Sequence, residues 1–141
     1  MSTVLFVCRQ NAGRSQISQA LFEHAAGNKH RALSAGTTPA AHLHPPVIEV
    51  MQEIGIDLTN QTPKLLTRKL AEQADLIITM GCGDECPVVP GKQYLNWDLP
   101  DPADQPVPTV REIRDEVNTR VRDLIEKLDR PADAAPLSLP L

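Results

Sequence analysis

Thr3-Val4-Leu5-Phe6-Val7-Cys8-Arg9-Gln10-Asn11-Ala12-Gly13-Arg14-Ser15 is the stretch on which the reading of the whole chain turns. Thr3 to Val7 form an apolar strand candidate, and Ile17, Ala20, Leu21 and His24 then recur at helical spacing until Gly27 stops them. Cys8 therefore ends a strand and Arg14 opens a helix. A loop of this length at a helix N-terminus turns successive backbone N–H groups toward one point, where the helix dipole also favours negative charge. The same field, with Arg14 close by, favours the thiolate of Cys8 over the thiol. A nucleophile and an anion cradle coincide.

Strand and helix signals alternate beyond this loop. Ala32-Leu33-Ser34-Ala35 reads as a short strand closed by Gly36, and a helix beginning near Pro45-Pro46 carries Val47, Val50, Met51 and Ile54 on one face before Gly55. Thr62-Pro63 predicts a further helix start, running through about Gln73. Leu76 to Met80 is a buried strand candidate ended by Gly81, and Lys92 to Leu95 a last short strand. Six prolines between Pro87 and Pro108 make that region mostly irregular. The strongest helix signal follows, with Val110, Ile113, Val117, Val121, Leu124 and Leu128 stepping by three or four. Strands alternating with helices imply a small parallel α/β sheet with helices on both faces, and ligands in such sheets sit at the carboxyl ends of strands. Residues 1–129 are expected to form one catalytic domain. Residues 130–141, rich in Pro and Ala and without period, are expected to be an extended or disordered tail.

At 141 residues, 41% of them apolar, the chain can bury a core without metal or disulfide help. A net charge of −4 without blocks of like charge argues against nucleic acid or an anionic membrane as the main partner. The N-terminal apolar segment lacks a basic leader and a cleavage-site pattern, and no apolar stretch of about 18 residues follows, so a cytoplasmic location is expected. Three cysteines, Cys8, Cys82 and Cys86, suit chemistry better than a disulfide scaffold.

Cys-x5-Arg-Ser after a strand resembles the signature of the low-molecular-weight protein tyrosine phosphatase superfamily, which includes a branch of arsenate reductases. The resemblance covers roughly residues 3 to 128: Ser34-Ala35-Gly36-Thr37 looks like the family's second strand end, Ile54-Gly55-Ile56-Asp57-Leu58 like its segment after the second helix, and Asp101-Pro102 like its late Asp-Pro. It implies a four-stranded parallel sheet of order 2-1-3-4. It also implies roles. Cys8 attacks the central atom of a tetrahedral oxyanion, the planar fork of Arg14 holds equatorial oxygens, and Asp101 protonates the leaving oxygen. Arg9, Gln10, Asn11, Ala12, Gly13 and Ser15 supply the oxyanion loop, with Ser15 donating to the sulfur and Asn11 supporting the loop through a bond to Ser34. The competing reading makes Cys8 a buried strand-end thiol and Arg14 a solvated helix residue, and a chain that keeps the fold as a non-catalytic anion sensor would also carry the loop.

Three features favour the reductase branch over a phosphotyrosine phosphatase. Ala103-Asp104-Gln105 follow Asp101-Pro102 where tyrosine phosphatases of this family commonly carry aromatic residues, and aromatics total only 3%. Arg14-Ser15-Gln16-Ile17-Ser18 looks like the reductases' Arg-Ser-Gln-Met. Cys82 and Cys86 lie on a loop which, in this fold, neighbours the anion cradle. A hydrolase needs no such thiols, whereas reduction needs a second thiol to accept the electrons of the cysteinyl-arsenic adduct.

Two routes remain open for that second thiol. In thioredoxin-linked relatives two cysteines separated by six residues relay the disulfide, but only three residues separate Cys82 from Cys86. Gly-Cys-Gly-Asp-Glu-Cys-Pro instead resembles actinobacterial relatives in which mycothiol takes the arsenic and a glutaredoxin-like protein resolves the mixed disulfide. That small-thiol route is the preferred reading, with an internal Cys82/Cys86 relay reduced by thioredoxin second. No bound cofactor and no metal are expected, since a Cys-x3-Cys pair without further ligands is a poor zinc site. Gln19 stands where relatives with a cation site tend to carry an acid. His24, His30, His42 and His44 read as structural, and Trp97 as either an anchor of the proline-rich loop or ordinary core.

Overall fold

The computed structural model describes residues 2–81 and 91–129. In chain order its elements are β1 (Thr3–Cys8), α1 (Arg14–Ala26), β2 (Arg31–Gly36), α2 (Pro45–Gln52), α3 (Arg68–Glu72), β3 (Leu76–Thr79), β4 (Gln93–Asn96) and α4 (Val107–Leu128). The strands form one sheet of order β2-β1-β3-β4, parallel throughout. This is the architecture expected from the resemblance. Residues 82–90, which include Cys82 and Cys86, and the 130–141 tail lie outside the described residues.

β1 is central because it is apolar on both sides, as a strand flanked by two parallel neighbours must be. Val4, Phe6 and Cys8 face one core with α1, α2 and α4, while Leu5 and Val7 face a second core with Ala71, Ala74 and Ile77. Phe6 joins the layers of the first core, with its ring 5.7 Å from Phe22 and 5.8 Å from Trp97. The edge-on packing of Phe6 on Phe22 adds to the area each ring buries. Trp97 is thus core, and it begins the irregular 97–106 segment, which carries Asp101.

α4 lays Val110, Ile113, Val117, Val121 and Leu124 onto this core, as its periodicity predicts. Arg114, on the same helix, is also buried: Nη1 donates to the Val50 carbonyl and pairs with Glu53, which Arg111 holds from the other side. These guanidinium contacts, Arg111 foremost, bring the Glu53 carboxyl down to about 2. The end of α2 is pinned to α4.

Three expectations change. The helix predicted from Thr62-Pro63 starts only at Arg68, capped by the Thr67 side chain. Residues 62–66 are extended because Gly36 N donates to Lys64 O and Leu66 N to Gly36 O, a pairing with the end of β2 that outweighs local helix signals. Ile54, expected on the buried face of α2, is 43% exposed, since the helix ends at Gln52 and the chain turns toward Gly55. The last strand is shifted by one residue, from Lys92–Leu95 to Gln93–Asn96.

Candidate active site

Cys8 and Gly36 end adjacent parallel strands, paired with each other, so the loop 9–13 leaves the carboxyl edge of the sheet beside the segment that follows β2. That segment takes up the loop's carbonyls. Thr37 N donates to Cys8 O, Thr38 N to Arg9 O at 2.8 Å, Ala40 N to Gln10 O at 3.0 Å and His44 N to Ala12 O at 3.0 Å. In a planar trans peptide the N–H points opposite to the carbonyl before it. The amides of Arg9, Gln10, Asn11 and Gly13 therefore turn to the other side, where Asn11 N reaches Cys8 Sγ at 3.2 Å. α1 begins at Arg14 with no side-chain cap and no acid in its first turn, so the positive end of its dipole is left to the loop.

Asn11 is the hinge of this loop, in the left-handed region at φ 51° and fully buried. Its Nδ2 donates to Ser15 Oγ at 2.7 Å, and its Oδ1 accepts from Gln16 Nε2 at 3.0 Å and from Lys64 N at 2.8 Å. Ser15 Oγ in turn lies 2.8 Å from Cys8 Sγ. The expected bond from Asn11 to Ser34 is not made. Ser34 Oγ donates to Gln19 Oε1 instead, because Gln16 and Lys64 fill the acceptor of Asn11 and Ser15 takes its donor. Gln16 and Lys64 are the supports that sequence reasoning missed; Gln16 was visible only as part of a motif, and Lys64 acts through its backbone.

Arg14 is 6% exposed and reaches over the loop to the 97–106 segment. Its Nη1 donates to Leu99 O at 3.3 Å, and Nη2 lies 3.5 Å from Asp101 Oδ2. Asp101 is half exposed, with Oδ1 accepting from Ala103 N at 2.9 Å, which orients the carboxylate back toward the loop. Glycine is required at two side-chain contacts. A Cβ on Gly13 would collide with the Pro102 side chain, and one on Gly81, which also has φ 84°, with the Arg14 guanidinium. The structure thus brings Cys8, Arg14, Ser15 and Asp101 to one edge, with Arg9 exposed, Gln10 half-buried and Ala12 and Gly13 buried in the loop. Among the described residues no group of three or more His, Cys, Asp or Glu side chains could hold a metal ion, and no helix is long and apolar enough to cross a membrane.

Gly36 underlies the loop backbone itself: a Cβ there would lie 2.7 Å from Arg9 O and 2.8 Å from Asn11 N, both backbone atoms that cannot swing aside. Gly36→Ala is expected to cost about 1–3 kcal/mol of stability and to weaken binding of inorganic phosphate. Denaturant unfolding and calorimetric titration measure both. A variant unchanged in both would contradict this packing.

A thiol at the floor of a strand-loop-helix cradle, on a parallel sheet of order 2-1-3-4, defines the fold of the cysteine-based low-molecular-weight phosphatases. The chain belongs to the low molecular weight phosphotyrosine protein phosphatase family, whose model matches residues 3–134. A putative arsenate reductase of Halobacterium salinarum is 40% identical over 129 residues, covering 88% of this chain and 91% of its own length. A glutaredoxin arsenate reductase of Synechocystis sp. is 33% identical over 131 residues, 91% of this chain and 99% of that protein. Among solved structures, the thioredoxin-dependent arsenate reductase of Corynebacterium glutamicum matches 91% of this chain with a TM-score of 0.80 and 43% identity. This chain spans 62% of that longer protein.

Proposed function

We propose that the chain is a thiol-dependent arsenate reductase with Cys8 as its nucleophile. The observation that carries this reading is that relatives named arsenate reductases align over about nine-tenths of the chain at 40% and 43% identity. The geometry fits the chemistry. Cys8 sulfur attacks arsenic in a cradle of loop amides, Arg14 holds two of the oxygens, and one As–O bond breaks as the departing oxygen takes a proton from Asp101 and leaves as water. Arg9, Gln10, Asn11, Ala12, Gly13 and Ser15 line the cradle.

Reduction then needs a second sulfur. In the small-thiol route mycothiol or a similar thiol attacks arsenic and displaces Cys8, and a glutaredoxin-like thiol attacks the small thiol's sulfur. The As–S electron pair stays on arsenic, which leaves as arsenite, while the two sulfurs become a disulfide. In the internal route Cys82 or Cys86 attacks Cys8 sulfur with the same balance of electrons, and thioredoxin reduces the resulting disulfide. The small-thiol route is suggested by the Cys82-x3-Cys86 spacing; the internal route is favoured by the thioredoxin-dependent relative and needs those thiols.

The purified chain mixed with arsenate is expected to form arsenite with mycothiol and its glutaredoxin-like partner, or with thioredoxin and its reductase. No arsenite in either system would sink the reading. Cys82→Ser and Cys86→Ser then separate the routes, since loss confined to the thioredoxin system indicates the internal relay. A phosphomonoesterase is the second reading, supported by the family itself. Against phosphotyrosine, Phe6, Phe22 and Trp97 are buried and Tyr94 packs on the second core, so these rings offer no face for stacking at the loop.

A further inference from the structure

Gln16 is only 2% exposed, although its place on the first turn of α1, directly after Arg14-Ser15, would suit an apolar side chain. A buried amide must place two N–H donors and a carbonyl oxygen. Gln16 Nε2 donates to Asn11 Oδ1 at 3.0 Å and to Thr62 O at 3.3 Å, so both acceptors pin the same face of its amide. Asn11 Oδ1 thereby receives two donors, Gln16 Nε2 and Lys64 N, and its Nδ2 has to face Ser15 Oγ. Ser15 Oγ, having accepted that N–H, keeps its own proton for Cys8 Sγ.

We propose that Gln16 is a positioning residue for Cys8: together with the Lys64 N–H it sets the direction of the chain Gln16 to Asn11 to Ser15 to Cys8, so that the Ser15 hydroxyl donates to the sulfur. Were the Asn11 amide turned over, its oxygen would face Ser15 Oγ, and the hydroxyl would give its proton to Asn11 instead. The sulfur would lose a donor that favours its charged form and that eases its later departure from arsenic. Thr62 completes the clamp, which is why the extended 62–66 segment matters to a loop that it does not belong to. This inference rests on the reading of Cys8 as the nucleophile.

The charged and titratable groups facing Cys8 and its loop are Arg14 of α1, Asp101 of the 97–106 segment and His44 at the start of α2. Those around Gln16 are Glu23 and His24 of α1, Asp57 of the turn after α2, and Lys64. Gln16→Met is neutral and of similar length, so it removes the amide and leaves all of these charges in place.

The test is the pH profile of Cys8 alkylation by iodoacetamide, read on the Cys8 peptide by mass spectrometry after labelling the full chain. Gln16→Met is expected to raise the midpoint by roughly half to one pH unit, and Ser15→Ala by at least as much. The double variant should move no further than Ser15→Ala alone, because Gln16 acts through Ser15. An unmoved profile in Gln16→Met, or a full additional shift in the Ser15→Ala background, overturns the proposal; Gln16→Leu replaces the Met variant if that one does not fold. A change in packing alone would lower stability without this dependence on Ser15. The measurement uses neither arsenate nor a reductant, so its failure and the failure of the arsenate reading are distinguishable.

Discussion

Cys8→Ser is expected to abolish arsenite formation, by at least about a thousandfold, while inorganic phosphate still binds. The loss has two physical sources. A serine hydroxyl in place of the sulfur is un-ionised at neutral pH and a poor attacking group. More decisively, an oxygen bonded to arsenic offers the second thiol no sulfur to attack, so the internal relay has no S–S bond through which electrons could leave arsenic. In the small-thiol route the same variant fails one step earlier, because the adduct never forms. The cradle should persist, since its walls are made by the amides and the carbonyl pairings of residues 8–12 with 37–44 rather than by the sulfur. Coupled arsenite assays and calorimetric titration with phosphate make the measurement. Arsenite formation at a substantial fraction of the original rate would remove Cys8 from the mechanism.

Arg14→Lys is expected to lower kcat/KM for arsenate by about 10²–10³ despite keeping the charge. The guanidinium is nearly buried and packs against Gly81, with one nitrogen toward Leu99 O and another toward Asp101. A lysine ammonium is a point donor that cannot bridge two oxygens, and its larger hydration makes the buried position costly. Steady-state kinetics read the change. A loss of only a few-fold would mean that charge alone holds the oxyanion and that the fork is dispensable.

How much of this site was legible in the sequence follows chain distance. Cys8, Arg14 and Ser15 belong to one strand-loop-helix unit, and the periodicity on either side was enough to place them. Asp101 lies far along the chain, and its approach to Arg14 depends on Trp97 packing on Phe6 and on Pro102 seating against Gly13. Its role was suggested by resemblance, not by pattern. The partners of Asn11 were misjudged because an amide accepts whichever donors the fold delivers. Here those were Gln16 Nε2 and the backbone of Lys64, the latter supplied by a segment that sequence signals had marked as helix.

The sequence by itself determined the alternation of strands and helices, the long α4 and the position of the thiol at a helix N-terminus. These rest on local periodicity and on short loops, whose energetics involve neighbours in the chain. Only the tertiary structure decided that residues 62–66 run extended beside Gly36, that Arg14 meets Asp101, and that a line of hydrogen bonds runs from Gln16 to Cys8. Each of those depends on groups remote in sequence competing for the same few buried donors and acceptors, and that competition is settled by packing.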